Sequence, residues 1–522
     1  MGAPTPLVTP ELDGRRRELA DRAADGEDVA TAPAATTVRD AFPHTRRPLP
    51  WFLAGFLLML FLVPIDSTEV RIHLPVGSEI DRFGIAVLVF AWIWFGGDQR
   101  AFLRTPRSKL YVTAACVFLL VAIASLLLDA GRIVNVGEFT LAEKRFALLG
   151  SFLILSWFTL TALRFEDVHG FTTYLIGLAS ITAVGIIVER KTGYNAFYNL
   201  SGIVFKPIAT VAPSPTIITP TVQTGGRVFV VGPTLHGLAA ATLLVVVSPF
   251  AFVRMLHARS RASWWLNAIA FSLMFTGAMA TEKKTALFVP LAAIAYIAMH
   301  RPRQVMRLAP AGIVALGIAV HVASPHSLGL ILNVNNDLNS NSTGHRIIDF
   351  QRLMPDIATH PVLGRGYGTL NPDQPNLFRI NDNEYLDELW EVGIVGLLAY
   401  IGMVLSPVIL ARRAIRARDP VVAPLALASS AGCVAFFVVG ALFDAFSYPQ
   451  APYMFFLVAA LTTIAAAGPE GNVAPTLAVK RRLELWRRPA RTPAPATAAR
   501  AAAHPPASAT TYQAAARPPR TR

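Results

Sequence analysis

One stretch of the sequence, residues 264–299, reads WWLNAIAFSLMFTGAMATEKKTALFVPLAAIAYIAM. Two apolar runs, 264–280 and 284–299, flank a short charged turn, and each is close to the length that an α-helix needs to cross a hydrocarbon core of about 30 Å. The turn leaves almost no room for a loop, so the runs predict an antiparallel pair of transmembrane helices. The charges of Glu282, Lys283 and Lys284 at that boundary need a separate explanation.

The composition of the whole chain agrees with a membrane protein. Of 522 residues, 53% are hydrophobic and 15% are charged, and the mean hydropathy is +0.46. Soluble domains rarely combine these values. The net charge of +14 does not indicate nucleic acid as a partner, because the basic residues lie mainly in short interhelical loops and at the two ends, where they suit anionic lipid. Cys116 and Cys433 both lie in apolar segments and indicate neither a disulfide framework nor a metal site.

The apolar pattern predicts an all-α polytopic membrane protein with about twelve transmembrane helices. Residues 1–48 and 470–522, rich in Pro, Ala, Thr and Arg, predict disordered cytoplasmic tails, the second of them basic. Spans one to nine fall within 49–323, and spans ten to twelve fall within 391–469. The candidate helices are 51–65, 83–96, 110–128, 145–163, 171–188, 233–253, 264–280, 284–299, 307–323, 391–411, 422–443 and 450–467.

The distribution of Arg and Lys predicts the orientation, because basic loops stay on the cytoplasmic side. Loops such as GGDQRAFLRTPRSK (96–109) and ARRAIRARD (411–419) are dense in Arg, which places both termini in the cytoplasm. The large loop 324–390 has few basic residues and falls outside, on the periplasmic side. The same alternation places loop 189–232 and the turn 281–284 on that outer face.

The large outer loop has a composition that predicts structure. HRIIDFQRLMPDIATH, residues 345–360, spaces its apolar residues as an amphipathic helix does, so we expect a short helix lying on the bundle. A glycine-rich turn, GRGYG at 364–368, follows it and allows a close approach of the backbone.

Several cations are predicted to lie on the outer face beside apolar spans. They are Arg227, Lys283, Lys284 and Arg346. Lysines at helix ends often extend to the lipid headgroups, and this remains an alternative for Lys283 and Lys284. Converging Arg and Lys side chains would instead suit a phosphate or pyrophosphate group.

From about residue 225 to 467 the sequence resembles the O-antigen ligase and O-antigen polymerase superfamily of bacterial envelope glycosyltransferases. The resemblance rests on the order, spacing and membrane side of GRVFVVGPTLHGLAAATLL, TEKKTALFVPLAA, HRIIDFQRLMPDIATHPVLGRGYG and DNEYLDELWEVGIVGLLAY. It implies a many-helix fold with a large periplasmic loop, in the bacterial cytoplasmic membrane. It also implies metal-independent transfer of a glycan from an undecaprenyl-pyrophosphate donor, without a cofactor.

The resemblance also assigns roles to individual residues. Arg227 resembles the first family arginine, Lys284 occupies the position of the second with Lys283 beside it, and Arg346 matches the arginine that opens the loop helix. The substrate-binding candidates are therefore these four cations together with His236 and Tyr385. Family ligases have a His where this chain has Asp382, which favours a polymerase over a ligase.

The candidate catalytic bases are Asp382, Glu384 and His345. A carboxylate can take a proton from an acceptor hydroxyl within hydrogen-bonding distance. Asp382 has an alternative role as a helix cap, since DNEYLDEL is typical of a helix start. No Asp-x-Asp pair and no His and Cys cluster occurs, so the sequence predicts no metal site.

The sequence thus predicts a glycosyltransferase whose partners are the lipid-linked oligosaccharide, an acceptor glycan or lipid, and the membrane, with no nucleic acid. Three alternatives stay open. The first is a ligase that transfers the glycan to a lipid, a wall polymer or a protein. The second is a transporter or flippase of lipid-linked glycans, and the third is a structural membrane scaffold.

Overall fold

The computed structural model describes residues 41–71, 78–95, 109–215, 228–309, 312, 317, 350–351, 353–369 and 383–469. Within these ranges the chain is mostly helical. The α-helices are α1 (Pro48–Leu62), α2 (Ile80–Phe95), α3 (Lys109–Leu128), α4 (Ala130–Val136), α5 (Phe139–Ala162), α6 (Phe165–Thr192), α7 (Ala196–Val204), α8 (Gly237–Leu256), α9 (Arg261–Ala280), α10 (Thr285–His300), α11 (Glu384–Arg416), α12 (Val422–Gly440) and α13 (Gln450–Ala467). Residues 302–309 and 353–359 are helical as well.

Seven helices in the described part of the chain are long and apolar enough to cross a membrane: α3, α5, α6, α8, α11, α12 and α13. Helices α1 and α10 are apolar but shorter. Helices α2 and α9 also coincide with predicted spans, and residues 310–323 of the ninth span lie almost wholly outside the described residues. The protein is therefore a multi-helix membrane protein, while the total of twelve spans remains a prediction.

The helix ends differ most from the sequence prediction where polar residues extend a helix beyond its apolar run. Helix α11 begins at Glu384 rather than at 391, because Asn383 caps it and accepts hydrogen bonds from the backbone N–H groups of Tyr385 and Leu386. Helix α6 begins at Phe165 rather than 171, since Asp167 accepts a hydrogen bond from the backbone N–H of Arg164 at 2.7 Å.

The end of the predicted N-terminal tail is packed against the bundle. The backbone N–H of Phe42 donates to Oδ1 of Asp167 at 2.9 Å, and the guanidinium of Arg47 contacts both oxygens of that buried carboxylate at 2.6–2.7 Å. The ring of Phe42 lies 5.3 Å from that of Phe171. Residues 41–47 are ordered because a buried carboxylate needs these partners. Residues 1–40 and 470–522 lie outside the described residues.

The centre of the bundle is formed by α8, α12 and α13, which are buried on almost every side. Helices that are apolar all round belong in such a position. At Gly432 of α12 a Cβ would lie 2.9 Å from the carbonyl oxygen of Val246 in α8, so the absent side chain lets the two helices approach closely. Helix α3 lies at the edge and exposes Leu120, Leu127 and Leu128.

The all-α prediction is incomplete, because two short strands are present. Strand β1 (Thr68–Val70) pairs antiparallel with β2 (Ala209–Val211), with Thr68 opposite Val211. The pair joins the connection between α1 and α2 to the segment after α7. Three-residue strands carry too little periodicity to be recognised in a sequence.

Candidate functional site

The outer end of the bundle, named after the predicted orientation, holds the charged turn between α9 and α10. Glu282 has a left-handed backbone with φ of 57° and forms an ion pair with Arg190, near the end of α6. Arg190 also donates to the backbone carbonyl of Val228 at 2.7 Å. The turn is therefore held by a long-range ion pair, which explains how Glu282 is accommodated at the boundary between two apolar helices.

Lys283 lies against the beginning of α8. A Cβ on Gly237 would lie 3.4 Å from Cε of Lys283, so the lysine side chain passes over this glycine. The residue before it, His236, caps α8 by accepting a hydrogen bond from the backbone N–H of Leu238 at 3.3 Å. The structure thus brings together two of the predicted substrate-binding residues, Lys283 and His236.

His236 is a neutral member of this group. Burial, and to a smaller extent the positive charge of Lys283, together lower its pKa to about 4. Its ring stacks on Tyr448, with the ring centroids 5.4 Å apart and an interplanar angle of 26°. At neutral pH the positive charge of this corner therefore resides on lysine, and the imidazole offers uncharged nitrogen atoms.

Lys284 is exposed at the N-cap position of α10. A cation at a helix N-terminus gains nothing from the helix dipole, so the position does not serve the stability of α10. The side chains of Lys283 and Lys284 thus differ in exposure, with Lys283 the more enclosed of the two.

The glycine-rich turn packs on a kink in α11. Gly393 has φ of 66° and ψ of −170°, and a Cβ there would lie 2.4 Å from the carbonyl oxygen of Val362. The backbone N–H groups of Gly366 and Ile394 donate to the carbonyl oxygens of Glu391 and Pro361 at 2.8 and 3.0 Å. The backbone of the glycine-rich turn was expected to approach another group closely, and that group is the backbone of α11.

An ion-pair network fastens the same segment to α4 and α5. Arg365 contacts Glu138 and Asp356, both at 3.1 Å, and its guanidinium lies 5.0 Å from the ring centroid of Trp390. Arg132 contacts the other oxygen of Glu138 at 2.9 Å. Leu353 and Ile357 of the short helix are buried against Trp390, so the helix packs on the bundle as its amphipathic pattern predicts.

The first two turns of α11 place acidic side chains around a small cavity of about 30 Å³. Three of its walls come from other segments: Arg145 of α5, Tyr367 of the glycine-rich turn, and Ser447 before α13. The acids are Glu384, Asp387, Glu388 and Glu391, all buried. Their spacing of three and four residues puts them on one face of the helix.

The turn Asp444–Tyr448 contacts both the acidic cavity and the pair formed by Lys283 and His236, here named the lysine corner. The backbone N–H of Phe446 donates to Oε2 of Glu384 at 2.9 Å, and Phe446 and Ser447 line the cavity. The next residue, Tyr448, stacks on His236. Two of the predicted positions, Glu384 and His236, are therefore joined through three consecutive residues, Phe446 to Tyr448.

Tyr385 is engaged in packing. Its hydroxyl donates to the backbone carbonyl of Phe437, and its ring lies 5.9 Å from that of Tyr400. The prediction that Tyr385 binds substrate is not tested by this arrangement, but any such role would compete with the bond to Phe437.

Four predicted site residues lie outside the described residues: Arg227, His345, Arg346 and Asp382. The convergence of Arg227 and Arg346 with Lys284 therefore stays a prediction. Sequence reasoning did not assign Arg145, Arg190, Glu388 or Glu391 to a site on the outer face. The available signal was a charge within or next to a predicted apolar span.

Within the described ranges, no three His, Cys, Asp or Glu side chains are arranged to hold a metal ion. Metal independence is not tested by that observation.

The fold and this corner define a class: a helical membrane protein with clustered, partly buried charges where its spans end. Residues 269–401 match the family model described as O-Antigen ligase, which confirms over this stretch the resemblance seen in the sequence. The matched stretch contains the charged turn, the glycine-rich turn and the acidic start of α11. No curated protein matches the chain.

Proposed function

We propose that the protein is a membrane glycosyltransferase of the O-antigen polymerase and ligase type. It transfers a glycan from an undecaprenyl-pyrophosphate donor to an acceptor glycan at the outer face of the bacterial cytoplasmic membrane. Both termini are cytoplasmic in this proposal, and no metal takes part. The observation that carries it is the meeting of Lys283 and His236 beside the acidic cavity, inside a chain that carries the O-Antigen ligase match.

The lysine corner suits the leaving group. A pyrophosphate gains negative charge as its bond to the sugar breaks, so fixed cations stabilise the transition state more than the ground state. Lys283 supplies such a cation at the end of α9, and Lys284 stands next to it. Arg227 and Arg346 complete the cation set as predictions. Neutral His236 can donate or accept a hydrogen bond without adding charge.

The acidic side suits the acceptor. Asp382 is the proposed proton acceptor carried over from the resemblance, and in the sequence it directly precedes Asn383, the cap of α11. An aspartate where family ligases have a His favours chain extension, in which the acceptor is another glycan. Ligation to a lipid, wall polymer or protein uses the same bond chemistry and is the alternative.

A transporter or flippase of lipid-linked glycans is the second candidate, because a charged site at the membrane surface could also recognise the headgroup without cleavage. Buried acids beside cations suit a transport path as well as a catalytic site, so the vesicle assay that follows decides between the two functions.

The test is a purified sample in lipid vesicles with labelled undecaprenyl-pyrophosphate oligosaccharide and candidate acceptors. Release of undecaprenyl pyrophosphate that requires acceptor supports transfer. Movement of the intact labelled lipid across the vesicle, without release, refutes it in favour of transport.

The matched variants are Lys283→Ala and Lys109→Ala. Lys109 is exposed at the opposite end of the bundle, at the start of α3. Lys283→Ala is expected to lower turnover by at least about tenfold, since one stabilising charge contact is worth more than about 1.4 kcal/mol. Lys109→Ala is expected to leave turnover unchanged. Equal rates in the two variants would remove Lys283 from the site.

A further inference from the structure

A long groove runs into the bundle from the end opposite the outer end. It encloses a cavity of about 750 Å³, lined by α6, α8, α9 and the beginning of α12. Its lining extends along α9 from Ser263 to Leu273, a rise of about 15 Å at about 1.5 Å per residue. The groove is therefore about as long as one leaflet's share of a hydrocarbon core of about 30 Å.

The two parts of the groove differ in polarity. Polar side chains line the part nearest the end of the bundle: His169, Thr173, Arg254, His257 and Ser263. Apolar side chains line the part within the bundle, among them Phe250, Ile269 and Leu273. The polar side chains there, Ser180 and Asn267, donate to backbone carbonyls of their own helices at 2.8 and 2.7 Å. One end thus suits a charged group, and the remainder suits a hydrocarbon chain.

Arg254 holds a positive charge at the polar end. Its guanidinium donates to the carbonyl oxygen of His169 and to the hydroxyl of Thr173, both at 2.6 Å, and it also donates to the hydroxyl of Thr172. These acceptors are neutral, so they orient the half-buried guanidinium but do not compensate its charge. A guanidinium has five N–H donors, and these bonds leave some of them for a further acceptor.

Acidic side chains do not supply the missing negative charge. Among the described residues that line the groove, none is Asp or Glu. Asp167 is ion-paired with Arg47, and Oδ1 of Asp419 accepts from the backbone N–H groups of Val421 and Val422 at 2.8 Å. Exposed arginines flank the starts of α9 and α12 in the sequence instead: Arg259, Arg261, Arg416 and Arg418. The polar end of the groove is therefore suited to an anion.

The groove is accessible from the side of the bundle. Gly177 of α6 and Leu266 and Ile269 of α9 line it and are exposed. A Cβ on Gly177 would meet no atom within 4 Å, so the space beside this part of α6 is free. The surroundings of a spanning helix at this depth are lipid, so a lipid molecule can enter the groove from its own leaflet.

We propose that this groove binds one anionic phospholipid of the leaflet at this end of the bundle, which is the cytoplasmic leaflet in the predicted orientation. The phosphate lies at Arg254, and one acyl chain lies along α9 toward Leu273. The site is at the opposite end of the protein from the proposed transferase site, and the inference does not depend on that function.

Charge complementarity favours this occupant over a second protein segment. An apolar helix, or the apolar face of a second copy, could cover Leu266 and Ile269 but would bury Arg254 without an anion, which is costly. An anionic phospholipid supplies both the phosphate and the hydrocarbon chain. Its phosphate accepts charge-assisted hydrogen bonds from a guanidinium, and its acyl chain fills the apolar part of the groove.

The experiment is native mass spectrometry of the full-length protein in detergent, titrated with phosphatidylglycerol, with phosphatidylcholine of the same acyl chains, or with glycerol phosphate. One phosphatidylglycerol is expected to bind at least about tenfold more tightly than phosphatidylcholine, because only phosphatidylglycerol has a net negative charge. Glycerol phosphate should bind far more weakly, since it has no acyl chain to bury. Equal affinities for the two lipids, or glycerol phosphate binding as tightly as phosphatidylglycerol, would overturn the proposal.

Two variants with matched controls test the two parts of the groove. Gly177→Leu is expected to abolish lipid binding because its side chain fills the apolar part, whereas Gly402→Leu, at an equally open and exposed position of α11, should bind normally. Arg254→Gln is expected to lower the affinity for phosphatidylglycerol by at least about tenfold and to remove the preference over phosphatidylcholine. Arg413→Gln should change neither, because Arg413 is exposed near the end of α11 and does not line the groove.

Arg254→Lys keeps the charge and should retain part of the preference, so the headgroup contact stays testable should Arg254→Gln fail to fold. Phosphatidylglycerol binding that is equal in Gly177→Leu and Gly402→Leu, or equal in Arg254→Gln and Arg413→Gln, would overturn the site. A dimer of the unaltered protein that Gly177→Leu abolishes and phosphatidylglycerol does not displace would mean that a second copy covers the groove, and would overturn the proposal as well.

Discussion

The contact between the glycine-rich turn and the kink of α11 predicts that Gly393→Ala is strongly destabilising. Gly393 has a φ and ψ combination that is essentially restricted to glycine, so any side chain costs about 1–3 kcal/mol in backbone strain. A Cβ would also lie 2.4 Å from the carbonyl oxygen and carbonyl carbon of Val362. Because the obstacle is backbone, it cannot rotate away, and the turn must move.

That movement breaks two backbone hydrogen bonds, and their loss adds to the strain. The backbone N–H groups of Ile394 and Val395 donate to Pro361 and Val362 at 3.0 and 3.2 Å. Each such bond contributes about 1 kcal/mol net. Strain and lost bonds together give a destabilisation of roughly 3–5 kcal/mol.

The assay is thermal unfolding of the purified protein in detergent, with Gly402→Ala as the matched control. Gly402 lies in the same helix, and a Cβ there meets no atom within 4 Å. Alanine at an open helical position should stabilise by about 0.5–1 kcal/mol. Equal melting temperatures for Gly393→Ala and Gly402→Ala would refute the reasoning, since the two changes would then be energetically alike.

Three further predictions concern the outer end. A double-mutant cycle of Arg190→Gln and Glu282→Gln should give a coupling energy of about 0.5–3 kcal/mol in thermal unfolding, and additive effects would contradict the ion pair. Because the pKa of His236 is lowered to about 4, the stability that its neutral form provides is complete above about pH 6.5 and is lost as pH falls toward 4. His236→Asn keeps a capping side chain but does not titrate, so the melting temperature of this variant should vary less with pH over that window. An unchanged slope of melting temperature against pH would refute this. Burial raises the pKa of Asp66 to about 7, so the stability that its protonated form provides is complete below about pH 3.9 and is lost as pH rises through 7. Asp66→Asn should therefore raise the melting temperature at pH 8 relative to the unaltered protein. A lower melting temperature of the variant at pH 8 would contradict the assignment.

The sequence was sufficient to locate the long apolar helices, because an apolar run of span length has few other solutions in lipid. The short helices α4 and α7 were not predicted. Helix α13 begins and ends where its run predicts, at residues 450 and 467. Helix α11 begins seven residues early, since the acids at its start are buried in a site, whereas acids at a predicted boundary are usually solvated. Helix propensity and apolar periodicity cannot predict that these acidic side chains are buried.

Ion pairs and contacts between residues far apart in the sequence were the other feature that could not be predicted. Arg190 and Glu282 are separated by three helices in the fold order, and neither residue indicates its partner in a single sequence. The lysine corner was predicted from charge on the outer face, and its contact with His236 followed from the packing of α8 against the charged turn. Oε2 of Glu388 is buried without a hydrogen bond of its own, which could not be predicted, because it depends on which neighbouring groups have already found partners.

The turn Asp444–Tyr448 contacts the acidic cavity through Phe446 and Ser447, and it contacts His236 through Tyr448. Because the turn is short, it cannot move away from one of these clusters without changing its contacts with the other. A displacement of Tyr448 from its stack on His236 would therefore shift Phe446, whose backbone N–H donates to Glu384, so the two contacts are coupled through a short piece of backbone.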